Sequence, residues 1–150
     1  MIYIAYFDGA CEPKNPGGTA SYGAVIYEDN EKVEKVWECS EVYGTGKLMS
    51  NNVAEYAGLI AVLERFIEQE LCDAEIVVKG DSMLVINQMF GTWKIKNGLY
   101  TPLAKQAREL LGGFTTIKGE WIQRDRNDVA DGLSKAALKR AGVKLRLQPA

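Results

Sequence analysis

The stretch that most constrains this chain is its start, Ile2 to Asp8 (IYIAYFD), which runs through Gly9, Ala10 and Cys11 into a turn rich in proline and glycine that ends at Gly18. Alternate side chains of an extended strand point to opposite faces. Ile2, Ile4, Tyr6 and Asp8 therefore share one face, and Tyr3, Ala5 and Phe7 the other. Both faces are apolar, which predicts a central strand covered on both sides. A carboxylate in that setting is costly unless it is paired, hydrogen-bonded or bound to a cation. Asp8 therefore marks a candidate site.

The chain has 150 residues, which suits a single domain over 1–150, with a basic, loosely held tail expected from about residue 143. Its formal net charge is -2, so no overall positive field announces a nucleic-acid binder, and such binding needs a local patch or bound metal. The chain has no histidine, which removes Ser-His triads and histidine metal sites. The three cysteines, Cys11, Cys39 and Cys72, fit no zinc spacing and read as reduced thiols. No apolar run is long enough to span a membrane, and the chain opens on a strand rather than a signal sequence. The expectation is a cytoplasmic monomer.

Two further strands are predicted at about Ala20–Glu28 and Lys32–Glu41, the second with one wet face, making an antiparallel meander with the first. Gly44 to Ser50 reads as loop. Asn51 and Asn52 offer N-caps to a helix that carries Val53, Tyr56, Ile60, Leu63 and Ile67 at helical spacing up to about Glu70. A short strand, Ala74–Lys79, ends in Gly80-Asp81-Ser82 and leads into a helix at about Ser82–Met89. The intervening helix predicts that this strand runs parallel to a central one. If that neighbour is the first strand, Asp8 and Asp81 both project from carboxyl ends, the edge where open α/β sheets bind ligands. A basic, aromatic connection, Gly91 to Asn97, then precedes a helix at Leu99–Leu111. A fifth strand follows at Thr115–Gln123, and Asn127 is a plausible cap for a last helix, about Asp128 to Ala141, with Val129, Leu133, Ala136 and Ala137 inward. Trp37 and Trp121 read as core or sheet-face residues.

Four carboxylates stand in apolar or small-residue contexts: Asp8, Glu55, Asp81 and Asp131. Each of the first three has a structural alternative: a strand-end turn former for Asp8, a first-turn acid favoured by the helix dipole for Glu55, and an N-cap for Asp81. Asp131, within a helix among small residues, has none. Gathered together they repel one another and require cations. An oxygen-only set selects hard ions, Mg²⁺ or Mn²⁺, and a pair of such ions suits in-line displacement at phosphorus.

The blocks FDGACEPKNPGG, SNNVAEYAGL, KGDSMLVI and NDVADGLSKAAL resemble, in order, the four motif regions of type 1 ribonuclease H. The resemblance covers nearly the whole chain. It implies an α/β ribonuclease H fold: a five-stranded mixed sheet in the order 3-2-1-4-5 with helices on both faces. It implies endonucleolytic hydrolysis of the RNA strand of an RNA–DNA hybrid by two metal ions, Mg²⁺ with Mn²⁺ as a substitute, leaving 5′-phosphate and 3′-hydroxyl ends. By the same likeness Asp8 bridges both ions, Asp131 shares the ion that activates the attacking water, and Glu55 and Asp81 hold the ion at the leaving 3′ oxygen. Gly9, Cys11, Asn15, Ser50, Asn51 and Asn52 match positions that contact the hybrid, where consecutive 2′-hydroxyls distinguish RNA from DNA.

Three departures stand out. Met83 replaces a glutamine common among relatives, and a thioether cannot supply the amide's donor and acceptor. The long basic handle of many relatives is reduced to Trp93, Lys94 and Lys96, which predicts weaker or more salt-sensitive hybrid binding. The loop histidine before the last aspartate is absent, and Arg124 is the candidate to take part of its role at the scissile phosphate. The rival readings are another nuclease on the same fold, such as a 3′–5′ exonuclease or strand-transfer enzyme, and a catalytically silent binding module.

Overall fold

The computed structural model describes residues 2–146. Strand β1 (Ile2–Glu12) pairs antiparallel with β2 (Thr19–Asp29), which pairs antiparallel with β3 (Val33–Thr45). Helix α1 (Asn51–Glu68) crosses over to β4 (Glu75–Gly80), which lies parallel to β1. Helices α2 (Met83–Phe90) and α3 (Thr101–Leu111) lead to β5 (Thr116–Trp121), parallel to β4. A single 3-10 turn at Arg124–Arg126 precedes α4 (Asp128–Arg140). The sheet order is β3-β2-β1-β4-β5, the predicted five-stranded mixed sheet. Among the described residues no helix is long and apolar enough to cross a membrane.

β1 is the central strand its composition predicts. Tyr3, Ala5 and Phe7 are buried on one face, where Tyr3 meets Phe66 of α1 edge-on with ring centroids 5.7 Å apart. The opposite face, with Ile4 and Tyr6, is only half buried, because α4 covers one end of it.

Two glycines set how closely the helices approach. A Cβ on Gly9 would lie 2.4 Å from the carbonyl carbon of Ala54 and from the amide of Glu55, so β1 passes against the first turn of α1 with no room for a side chain. A Cβ on Gly23, the β2 partner of Asp8, would lie 2.4 Å from the Ala130 carbonyl of α4. Asp8 is thus flanked by the two contacts that bring α1 and α4 onto the sheet.

Several local expectations are corrected. The cap of α1 is Ser50, whose hydroxyl accepts from the Val53 N–H at 3.2 Å, and Asn51 and Asn52 are the first helical residues. β3 runs on to Thr45 instead of ending near Glu41, because β2 offers a partner along its whole length, with irregularities beside Ala20/Ser21 and Ile26/Tyr27. Helix α3 begins at Thr101 rather than Leu99; the Thr101 hydroxyl accepts from the Gly98 N–H, closing the preceding turn. Ile67 lies toward solvent at the end of α1. In α4 the fully buried residues are Ala130, Ser134, Ala137 and Leu138, while Val129 is 45% exposed. The helix is turned this way by Ser134, whose hydroxyl and carbonyl both lie 2.9 Å from the Ser21 hydroxyl. Trp121 is exposed rather than packed on the sheet, and its indole N–H donates to the Asp81 carbonyl at 3.2 Å. Trp37 is half buried, with the Arg65 guanidinium 5.9 Å from its ring.

Replacing Gly23 with alanine is expected to lower unfolding free energy by about 1–3 kcal/mol, since backbone rather than a flexible side chain must move. Urea denaturation of the variant and the parent measures it, and equal midpoints would contradict the packing described.

A candidate acidic metal centre at the ends of β1 and β4

The parallel pairing of β1 with β4 ends at Phe7 opposite Gly80. Asp8 and Asp81 are the next residues on the two strands, so the topology alone sets them side by side. Glu55 enters from α1 over Gly9. One carboxylate oxygen from each of Asp8, Glu55 and Asp81 lies within 4.8 Å of the other two. Asp8 is 4% exposed and Glu55 8%, and Glu55 Oε2 has no hydrogen-bond partner among the described residues.

Asp131 joins this group through Asp8, to which its carboxyl is hydrogen-bonded. Its Oδ2 lies 3.0 Å from Lys135 Nζ, one turn along α4. Its charge still acts on both Asp8 and Asp81. All four predicted carboxylates therefore meet at this end of the sheet, three around one point and Asp131 between Asp8 and Lys135.

The electrostatics follow from burial and like charge. Burial, reinforced by the charge of Asp81, pushes Asp8 up to about 8. Burial, then the charges of Asp8 and Asp81, raises Glu55 well above the ordinary glutamate value. Asp81 is raised too, chiefly by burial, with Arg124 acting in the opposite direction. The cluster is tolerable with protons or with cations between its oxygens. An all-carboxylate donor set with one buried oxygen left unpaired fits a hard divalent cation.

Asn127 anchors this end of the molecule. It is buried, and its side-chain N–H donates to the Phe7 carbonyl at 2.9 Å, one residue before Asp8. Its own carbonyl accepts from the Asp131 N–H at 3.0 Å. Read from the sequence as a cap, Asn127 occupies the cap position but makes no side-chain capping bond. Its amide is bonded to β1 instead, which ties the first turn of α4, the turn that carries Asp131, to the end of the central strand. Lys135 was also missed, although its spacing of four from Asp131 is a signal for a helical ion pair.

The positions matched to hybrid contacts form a connected rim. The Cys11 N–H donates to Asn51 Oδ1 at 3.0 Å, and the Asn51 N–H donates to Asn15 Oδ1 at 2.9 Å. The buried Cys11 thiol points at the Lys14 carbonyl, 3.0 Å away. Asn52 is exposed at the start of α1, Met83 is exposed at the start of α2, and Arg124 faces Asp81. Trp93 and Lys94 lie apart from the carboxylates, in a groove between α2 and α3 that Lys96, Lys105 and Arg108 also line. The residue that shapes that groove has no local signature in the sequence. Buried Gln88 accepts from the Tyr56 hydroxyl and donates to the Lys94 carbonyl and the Tyr100 hydroxyl, each at 3.0 Å.

The reverse transcriptase-like family model matches residues 6–137. The chain is 38% identical over 127 residues to the bifunctional protein Rv2228c of Mycobacterium tuberculosis, a match covering 85% of this chain and 33% of that protein. The chain thus spans about a third of the length of that relative. The crystal structure of RNase H1 from Halobacterium salinarum superposes with a TM-score of 0.80 at 33% identity, over 93% of this chain and 99% of that one. That of LC11-RNase H1 in complex with RNA/DNA hybrid gives 0.81 at 30% identity, over 93% and 98%. A family match that runs from β1 into α4, and solved type 1 enzymes that overlay on nearly the full chain, establish that this protein belongs to the type 1 ribonuclease H family.

Proposed function

We propose that this protein is an endonuclease that hydrolyses the RNA strand of RNA–DNA hybrids, leaving 5′-phosphate and 3′-hydroxyl ends. The observation that carries the reading is the convergence of Asp8, Glu55 and Asp81, with Glu55 Oε2 buried and unpaired, at the strand ends of this fold. The complex of LC11-RNase H1 with an RNA/DNA hybrid supports the substrate class.

Asp8, Glu55, Asp81 and Asp131 are the residues to hold two divalent ions, Mg²⁺ or Mn²⁺. Such ions supply an activated water and a Lewis acid for the leaving 3′ oxygen. The chain's own groups do the rest. Gly9, Cys11, Asn15, Ser50, Asn51 and Asn52 form the rim along which the RNA 2′-hydroxyls are read. Met83 offers that rim only an apolar thioether. Arg124, already beside Asp81, supplies a cation to the scissile phosphate in a chain that has no histidine. Trp93, Lys94 and Lys96 give a short cationic strip for the backbone of the hybrid. With a net charge of -2 the protein relies on this strip and on bound cations for attraction. The working state is a cytoplasmic monomer.

Asp8→Asn is expected to reduce cleavage of a labelled hybrid in Mg²⁺ to the no-enzyme baseline while circular dichroism stays unchanged; cleavage by the folded variant would reject the site. Arg124→Ala is expected to lower kcat about tenfold with a smaller effect on KM. Turnover equal to the parent would remove Arg124 from the scheme.

The raised pKa of Asp8 also fixes a stability trend. In the unfolded chain Asp8 ionises near 3.8, in the folded protein near 8, so between these values the folded state binds more protons. Stability of the metal-free protein therefore falls as pH rises from about 4 to about 8. Melting curves in chelator should show the fall, Asp8→Asn should flatten it, and added Mg²⁺ should restore Tm at pH 8. A level metal-free profile would contradict the buried charge.

A further inference from the structure

The basic tail is held against β1 by one residue. The Arg146 backbone N–H and Nε both donate to Glu12 Oε2, at 3.0 and 2.8 Å, and Nη2 donates to Glu12 Oε1 at 3.2 Å. Nη2 also donates to the Cys11 carbonyl at 3.0 Å. Both carboxylate oxygens of Glu12 are engaged in this fork, the arrangement that gives arginine–carboxylate pairs their directional strength. The Glu12 side chain is 13% exposed and that of Arg146 50%, so the carboxylate is largely covered while the guanidinium stays open to solvent. The tail is placed at least through Arg146, where a loose segment was expected from 143; the remainder, 147–150, lies outside the described residues.

What the fork grips matters. Cys11 and Glu12 are the last residues of β1, directly before the turn that carries Asn15. Arg146 holds the carbonyl of Cys11, and the N–H of the same residue, in the preceding peptide unit, donates to Asn51 Oδ1; the Asn51 N–H in turn donates to Asn15 Oδ1. Arg146 is therefore one bond from the rim assigned to the hybrid. Glu12 also feels the charge of Lys135, the partner of Asp131 on α4. Its burial opposes ionisation, yet the Arg146 hydrogen bonds bring it below the ordinary glutamate value.

We infer that Arg146 is a positioning residue: through Glu12 and the Cys11 carbonyl it clamps the end of β1, and so fixes the Cys11–Asn51–Asn15 rim for the RNA strand. The tail thereby sets substrate affinity without touching substrate. This rests on the hybrid reading proposed above.

The test uses the full chain with Arg146→Ala, Glu12→Ala and Arg146→Lys, read by steady-state kinetics on a labelled hybrid and by amide hydrogen exchange. Arg146→Ala and Glu12→Ala should each raise KM about fivefold, leave kcat within about twofold, and speed exchange of the Cys11 amide about tenfold. Arg146→Lys should recover part of both losses. Unchanged KM and unchanged Cys11 exchange in Arg146→Ala would overturn the clamp. So would a rise in KM in Arg146→Ala with none in Glu12→Ala, which would assign the guanidinium to a phosphate directly. If the parent cleaves no hybrid, the functional reading fails, and the clamp stands or falls on the exchange rates alone.

Discussion

The structure depends on two places where a helix backbone lies against a strand backbone with nothing between them. Gly9 admits the first turn of α1, and Gly23 admits α4. Asp8 lies between, next to Gly9 in sequence and opposite Gly23 in register. A side chain at either glycine would push a helix outward and carry Glu55 or Asp131 away from Asp8. The acidic cluster is thus a product of backbone packing as much as of the acidic residues, and the central strand is the common reference for both helices.

Holding carboxylates so close has a physical cost, and the fold spreads the means of offsetting it. Lys135 meets Asp131 directly. Arg124 acts on Asp81 from the turn after β5. Asp8 and Glu55 have no such cation, and burial together with like charge raises the pKa of both. The inner pair is therefore the part of the cluster most in need of an added divalent ion, and the outer pair is already partly compensated by the chain. Such a division follows from burial: the more solvated acids can tolerate a lysine or arginine at their side, whereas the enclosed ones have room only for something small.

Much of this was legible in the sequence. The apolar run ending in Asp8 and the helix between the third and fourth strands predict a central first strand and a parallel fourth one, while the full sheet order, which sets Asp8 beside Asp81, is what the resemblance to type 1 ribonuclease H implies. Pattern was enough to place the individual elements because each carries a clear apolar run or stripe. What escaped were side chains whose partners lie far away in the chain. Asn127 was read as a cap because local spacing supports a cap; its use for the Phe7 carbonyl, 120 residues away, has no local signature. The inward face of α4 was misread for a similar reason. Val129 is apolar but exposed, whereas Ser134 is polar and buried, because the Ser21 hydroxyl opposite makes burial of a serine cheap. Arg146 looked like an unattached tail charge until Glu12 was seen beneath it.

The Gln88 relay carries a consequence for recognition. One amide joins Tyr56 of α1, Tyr100 before α3 and the main chain at Lys94, and the two tyrosine rings stack at 5.7 Å. A cationic strip on an unsupported loop would lose entropy whenever it met a polyanion. Here the main chain at Lys94 and Lys96 is already tied to Gln88 and to the Tyr100 hydroxyl, so under the proposed function these lysines would lose less backbone freedom on meeting a polyanion. A shortened strip and a stiffened one are, in this molecule, the same solution.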